Sequence, residues 1–91
     1  MSAALHIVVS GFVQGVGFRY ACLREARACG VTGWVRNGAD GQVEIQVEGT
    51  PAALEDFQVW CRQGPSVAVV RQVAVTPVEP AGATGFEIRL R

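Results

Sequence analysis

Lysine is absent from this chain of 91 residues, and all eight of its basic residues are arginines. The absence of lysine excludes Schiff-base chemistry and the lysine of a Walker-type phosphate loop. Eight Asp and Glu residues offset the eight arginines, so the formal net charge is zero. A neutral balance argues against electrostatic nucleic-acid binding and against a polybasic membrane anchor. We therefore expect neither nucleic acid nor a membrane among the partners.

Cysteine is sparse, with three residues at positions 22, 29 and 61. A disulfide framework would use more cysteines, in an even number. If one helix spans 22–29, Cys22 and Cys29 lie roughly 10 Å apart along its axis. That separation is too large, because a disulfide needs Cα atoms within about 7 Å. We expect all three to be small buried side chains in a reducing compartment, while a pairing of Cys61 with either of the others stays open.

Long hydrophobic runs and targeting signals are also missing. The first apolar run ends at Ser10, and no arginine precedes position 19, so the basic start of a secretory signal is lacking. Nothing approaches the length of a membrane span. Because 49% of the residues are apolar and 18% are charged, the composition predicts a folded protein. We expect one domain over residues 1–91, cytoplasmic and monomeric.

Hydrophobic periodicity predicts a strand, a loop and a helix at the start of the chain. Alternation predicts a first strand that stops at Gly11, with its apolar positions at Leu5, Ile7 and Val9. Residues 11–17 contain three glycines and are predicted to form a loop. Helical spacing then runs from Phe18 to Cys29, and Gly30 suits a C-cap in the left-handed conformation.

The remaining elements complete a ferredoxin-like pattern. They are a strand over 31–36, a turn over 37–41, a strand over 42–48, a helix from Thr50 to Gly64, a strand over 67–75 and a short strand over 86–91. The order β-α-β-β-α-β, with an extra C-terminal strand, predicts an α+β fold. Its sheet would be rich in antiparallel pairs, with both helices on one face.

Topology predicts where chemistry could occur. A crossover helix joins the first two strands, so they should run in the same direction and end at the same edge of the sheet. The glycine loop, the start of the first helix and Asn37 would all gather at that edge.

The glycine loop can bind an anion. Glycines let backbone N–H groups converge, and a helix N-terminus adds unpaired donors. Arg19, in the first helical turn, adds a planar cation suited to phosphate oxygens. A cation is unfavourable at the positive end of a helix unless an anion lies beside it. Alternatively, Gly15 and Gly17 only shape a turn and Arg19 is a solvated surface residue.

Other polar residues give weaker signals. Asn37 is the only asparagine and precedes a glycine, which is common in hairpins, yet its carboxamide could hold a water. His6 lies mid-strand and is predicted to be structural. No zinc spacing occurs, and no metal cage is expected from the scattered carboxylates Asp40, Glu44 and Glu48. The loop offers no nucleophile, so catalysis would use attack by water.

Two motifs resemble those of the acylphosphatase family. They are Gly11-Phe-Val-Gln-Gly-Val-Gly-Phe-Arg19 and Gly33-Trp-Val-Arg-Asn37, and the resemblance extends through 40–44 and 64–65 to 86–89. Two positions depart from the family pattern, and both concern packing. Leu90-Arg91 stands where relatives often end in an aromatic residue, and Cys29 stands where they often have leucine.

The resemblance implies hydrolysis of acyl phosphates to a carboxylate and inorganic phosphate, with no metal or other cofactor. It implies that Asn37 orients the attacking water and that the phosphoryl group is bound by Arg19 and loop amides, over Val13, Gln14, Gly15, Val16, Gly17, Phe18 and Arg19. The alternative is a non-catalytic module of the same fold that binds phosphorylated metabolites or a protein. An RNA-binding domain fits less well, because the 42–48 strand lacks stacking aromatics.

Overall fold

The computed structural model describes residues 2–90 of the chain. Its elements are β1 (Ala3–Phe12), α1 (Phe18–Cys29), β2 (Thr32–Asn37), β3 (Val43–Gly49), α2 (Pro51–Gln63), β4 (Val69–Val78) and β5 (Phe86–Ile88). This order confirms the predicted ferredoxin-like pattern and its extra C-terminal strand. The last strand is shorter than predicted, because pairing ends at Ile88, and the predicted position of Arg91 lies outside the described residues.

The sheet has the strand order β4-β1-β3-β2-β5. Strands β1 and β2 both pair antiparallel with β3, so they run parallel to each other with one strand between them. Their last residues, Phe12 and Asn37, therefore lie at the same edge of the sheet, as the topology predicted. Strand β5 pairs in parallel with β2 through three residue pairs, from Gly33 with Phe86 to Val35 with Ile88.

The two helices cover one face of the sheet. Strand β3 shows the reason most clearly, since its alternate residues Val43, Ile45 and Val47 are fully buried while Glu44 and Gln46 face outward. Helix α2 packs against β1, β3 and β4, helix α1 packs against β2 and β5, and the two helices pack on each other. The ring centroids of Phe18 and Trp60 lie 5.2 Å apart, which joins the first turn of α1 to α2.

Local signals set the helix ends. Gly30 closes α1 in the left-handed conformation at φ 80°, and its N–H donates to the carbonyl of Ala26. Thr50 caps α2, because its hydroxyl accepts a hydrogen bond of 3.2 Å from the N–H of Ala53, and Pro51 occupies the first helical position. Both ends lie where the sequence predicted them.

All three cysteines are free thiols. Cys22 and Cys61 are buried as expected, but the expectation is wrong for Cys29, which is only partly buried and donates to the Glu25 carboxylate over 3.5 Å. Burial raises the pKa of Cys61 to about 12, and burial together with the Glu25 contact raises the pKa of Cys29 to about 11. These thiols therefore stay protonated at neutral pH and are poor nucleophiles.

Glu48 anchors the loop between β4 and β5. Its side chain is on β3 and the residue is only 6% exposed. The carboxylate accepts three backbone hydrogen bonds, of 2.7 Å from Ala81, 3.1 Å from Gly82 and 3.3 Å from Ala83. A buried carboxylate is stable in a fold when its lone pairs are satisfied in this way.

Substitution Glu48→Gln should lower the free energy of unfolding by about 1–3 kcal/mol, because it places amide hydrogens against backbone N–H donors. Urea denaturation at pH 7 measures this change. The matched control is Glu87→Gln on β5, where the glutamate is exposed and pairs only with Arg89, and it should change stability by less than about 0.5 kcal/mol. Equal unfolding midpoints for Glu48→Gln and the wild type would contradict the anchoring role.

Candidate active site

The glycine loop between β1 and α1 has the backbone geometry of an anion cradle. Gly15 and Gly17 have φ of 75° and 77°, in the left-handed region that glycine adopts without strain. A Cβ built at either position would meet nothing within 4 Å. Glycine is therefore required here by the backbone conformation and not by crowding, and the space beside the loop is free for a ligand.

The first turn of α1 presents unpaired donors to that space. The first helical hydrogen bond runs from the N–H of Ala21 to the carbonyl of Gly17, at 3.0 Å. The N–H groups of Phe18, Arg19 and Tyr20 consequently have no acceptor within the helix. No side chain caps this end, and the first turn contains no acidic residue. Together with the helix dipole, these donors favour a negatively charged ligand.

Arg19 and Asn37 line one cavity of about 300 Å³, here called the Arg19 cavity. Its full lining is Val13, Gly15, Gly17, Phe18, Arg19, Tyr20, Asn37, Ile88 and Leu90. The structure thus brings together most of the residues that the sequence analysis selected. Two of them do not line the cavity, since Val16 packs against the core and the Gln14 side chain points elsewhere.

Asn37 contributes a buried acceptor. It is the last residue of β2, paired with Val43, and its Oδ1 atom is buried with no hydrogen-bond partner among the described residues. An unpaired buried acceptor costs about 1–3 kcal/mol. In this conformation the atom is closed to solvent, so a water reaches it only if the carboxamide turns.

Gln14 has a role that the sequence did not indicate. Its Nε2 donates to the carbonyl of Gly38 at 3.1 Å and to the carbonyl of Gln42 at 2.8 Å. These bonds tie the glycine loop to the β2–β3 turn, which begins directly after Asn37. No local signal could have revealed them, because the partners are 24 and 28 residues away along the chain.

A second cavity, the Arg36 cavity, has a volume of about 570 Å³. It is lined by Arg36, Asn37, Gly38, Ala39, Glu44 and Leu90, so it shares Asn37 and Leu90 with the Arg19 cavity. Arg36 donates through Nε to Glu44 at 2.6 Å, and its guanidinium lies 4.9 Å from the ring centroid of Trp34. The guanidinium of Arg36 is therefore already held by a carboxylate and an aromatic ring.

Glu44 is the centre of an ionic network across three strands. It accepts a hydrogen bond from Arg36 and contacts His6 Nε2 at 2.6 Å through its other oxygen. The Arg36 hydrogen bond, aided by His6, lowers the pKa of Glu44 in spite of its partial burial. His6 belongs to this network and does not line the Arg19 cavity.

Two further features concern metals and membranes. Within residues 2–90, no three His, Cys, Asp or Glu side chains are grouped so as to hold a metal ion. Across the same residues, neither helix has the length and apolar character needed to cross a bilayer.

Comparison with known proteins gives consistent matches. The acylphosphatase family model matches residues 5–88. An acylphosphatase from Synechococcus sp. strain WH7803 is 53% identical over 81 residues, covering 89% of this chain and 81% of the relative. The crystal structure of acylphosphatase from Bacillus subtilis superposes with a TM-score of 0.93 at 39% identity, covering 98% of this chain and 99% of that one. Full-length HypF, in a phosphate- and nucleotide-bound form, contains a similar region, with a TM-score of 0.92 at 32% identity over 98% of this chain and 12% of HypF.

Substitution Gln14→Ala should weaken binding of inorganic phosphate about tenfold, equivalent to about 1.4 kcal/mol, because the loop loses two hydrogen bonds that hold its shape. Isothermal titration calorimetry measures the dissociation constant. The control Gln58→Ala removes a side chain that bonds only within α2, to the carbonyl of Leu54, and should leave phosphate binding unchanged. Unchanged binding in Gln14→Ala would show that the tether does not shape the loop.

Substitution Glu44→Gln should make stability less dependent on acidic pH. A carboxyl whose pKa is lowered by folding stabilises the protein fully above its ordinary pKa of 4.5 and loses that contribution as the pH falls through the lowered value. The variant should therefore melt below the wild type at pH 6, and the difference should shrink towards pH 3. Thermal melts between pH 3 and pH 6 measure the difference in melting temperature between the variant and the wild type. A difference that stays the same at every pH would contradict the role of the network.

Proposed function

The chain belongs to the acylphosphatase family, and we propose that it hydrolyses acyl phosphates to a carboxylate and inorganic phosphate. One observation carries the proposal: the glycine loop, Arg19 and Asn37 line a single cavity. A phosphoryl-binding group and a water-binding group are the two parts that such a reaction needs.

In this proposal, Arg19 and the loop amides bind the phosphoryl group. None of the three ion pairs between described residues includes Arg19, and Arg19 lines the cavity. A guanidinium can donate two parallel hydrogen bonds to phosphate oxygens. A hydrogen bond to a charged group contributes about 1.5–3 kcal/mol net, and the N–H groups of the first turn of α1 add further donors.

Asn37 positions the attacking water. Its carboxamide, which belongs to a residue lining the Arg19 cavity, forms a hydrogen bond with the water and fixes the direction of the lone pair that attacks phosphorus. Phosphoryl transfer depends mainly on position and on stabilisation of charge at the equatorial oxygens. A preorganised donor to the developing charge, such as Arg19 or a loop amide, is worth about 2.7–4 kcal/mol in the transition state.

The proton of the water goes to the substrate. Among residues 2–90, neither a carboxylate nor a histidine lines the Arg19 cavity, and a guanidinium does not act as a base. As the bond from water oxygen to phosphorus forms and the bond from phosphorus to the acyl oxygen breaks, a phosphoryl oxygen takes the proton. The carboxylate leaves without one, since carboxyl groups are ionised at neutral pH. Every group involved comes from one copy of the chain, so a monomer suffices.

Two substitutions separate the roles of binding and water positioning. Asn37→Ala should lower kcat about a hundredfold or more while the affinity for inorganic phosphate is retained. Arg19→Ala should weaken phosphate binding and also lower kcat. Steady-state hydrolysis of benzoyl phosphate in a buffer containing EDTA, with inorganic phosphate as competitor, measures both effects.

The matched control is Arg24→Ala, an exposed arginine further along α1 that does not line the Arg19 cavity, and it should keep wild-type kinetics. Near-normal turnover by Asn37→Ala would remove the water-positioning role. Tight phosphate binding by the wild type without any hydrolysis of benzoyl phosphate would point instead to a non-catalytic module of this fold.

A further inference from the structure

Tyr20 and Ile88 give the Arg19 cavity an apolar wall. Tyr20 lies on α1 and is 64% exposed, which is unusual for a large aromatic side chain. Ile88 lies on β5, and α1 packs against β5, so the two elements meet beside the cavity. Both residues line the Arg19 cavity and neither lines the Arg36 cavity.

The direction of the attack on phosphorus determines which lining residues the acyl group contacts. In phosphoryl transfer the attacking and leaving oxygens lie roughly in line across phosphorus. With the water on Asn37, the acyl oxygen leaves on the side away from Asn37. Asn37 lines both the Arg19 cavity and the Arg36 cavity. Tyr20 and Ile88 are lining residues that this second cavity does not share.

Resting on the proposed function, we infer that Tyr20 and Ile88 form the subsite for the acyl group and favour acyl phosphates with an aromatic or long aliphatic acyl chain. The face of a tyrosine ring packs against an aromatic or aliphatic group. Among residues 2–90, Arg19 is the only charged side chain in the cavity lining, and the phosphoryl group occupies it. Neither Tyr20 nor Ile88 offers a charged partner to an acyl group that carries a second carboxylate.

The test compares benzoyl, acetyl and succinyl phosphate as substrates. Tyr20→Ala should raise KM for benzoyl phosphate about tenfold with kcat unchanged, because the contact is present in both the bound and the transition state. Acetyl phosphate carries only a methyl group on its carbonyl, offers little surface to the ring, and should be hydrolysed as by the wild type. The inhibition constant of inorganic phosphate should also stay the same, because the phosphate cradle is intact.

Two variants serve as controls. Tyr20→Phe retains the ring and should restore the KM for benzoyl phosphate. Val59→Ala removes another exposed apolar side chain, which lies on α2 and is 55% exposed, and should have no effect on any of the three substrates.

Three results would overturn the inference. The first is that Tyr20→Ala raises KM equally for benzoyl and acetyl phosphate. The second is that Tyr20→Ala changes KM for neither substrate. The third is that Arg36→Gln loses activity on succinyl phosphate alone while Tyr20→Ala keeps wild-type kinetics on all three substrates. That result would place the acyl group in the Arg36 cavity. Hydrolysis of none of the substrates by the wild type is a distinct result, which refutes the proposed function and the subsite with it.

Discussion

The antiparallel pairing of β3 with both β1 and β2 is the constraint on which the candidate site depends. Because β3 lies between them, β1 and β2 run in the same direction and end at the same edge. The loop after β1 and the last residue of β2 are then neighbours, although they are about 20 residues apart in the sequence. The Gln14 side chain fixes their spacing through its two hydrogen bonds to the β2–β3 turn.

The elements that create this arrangement are visible in the sequence. Strand β3 alternates apolar and polar residues without exception from Val43 to Glu48, and Gly30 and Thr50 mark helix ends through their own conformational preferences. The glycine loop and Arg19 could be selected because their chemistry is local: donors, a helix terminus and a cation within a few residues. Asn37 could be connected with them only through the predicted topology.

Contacts between distant residues could not be predicted in this way. The alternation of β3 predicts that Glu48 is a polar residue on the outward face. In the structure it is buried and accepts hydrogen bonds from three backbone amides that lie 33–35 residues away. Glu44 likewise reads as a solvated residue, while the structure joins it to His6 and Arg36 across the sheet. Such pairings depend on strand register and on loop conformation, which hydrophobic periodicity does not encode. Cys29 is the opposite case. The sequence analysis expected it to be buried, yet it remains partly exposed at the end of α1.

Strand β5 is joined to the sheet by only three residue pairs, and it also supplies Ile88 to the lining of the Arg19 cavity. Short peripheral strands detach at a lower free energy than the centre of a sheet, without unfolding of the rest. One side of the cavity is therefore built on the shortest strand, while the glycine loop follows β1 and Asn37 ends β2, which are both longer. Local fraying of β5 would therefore change the width of the cavity and leave the glycine loop and Asn37 in place.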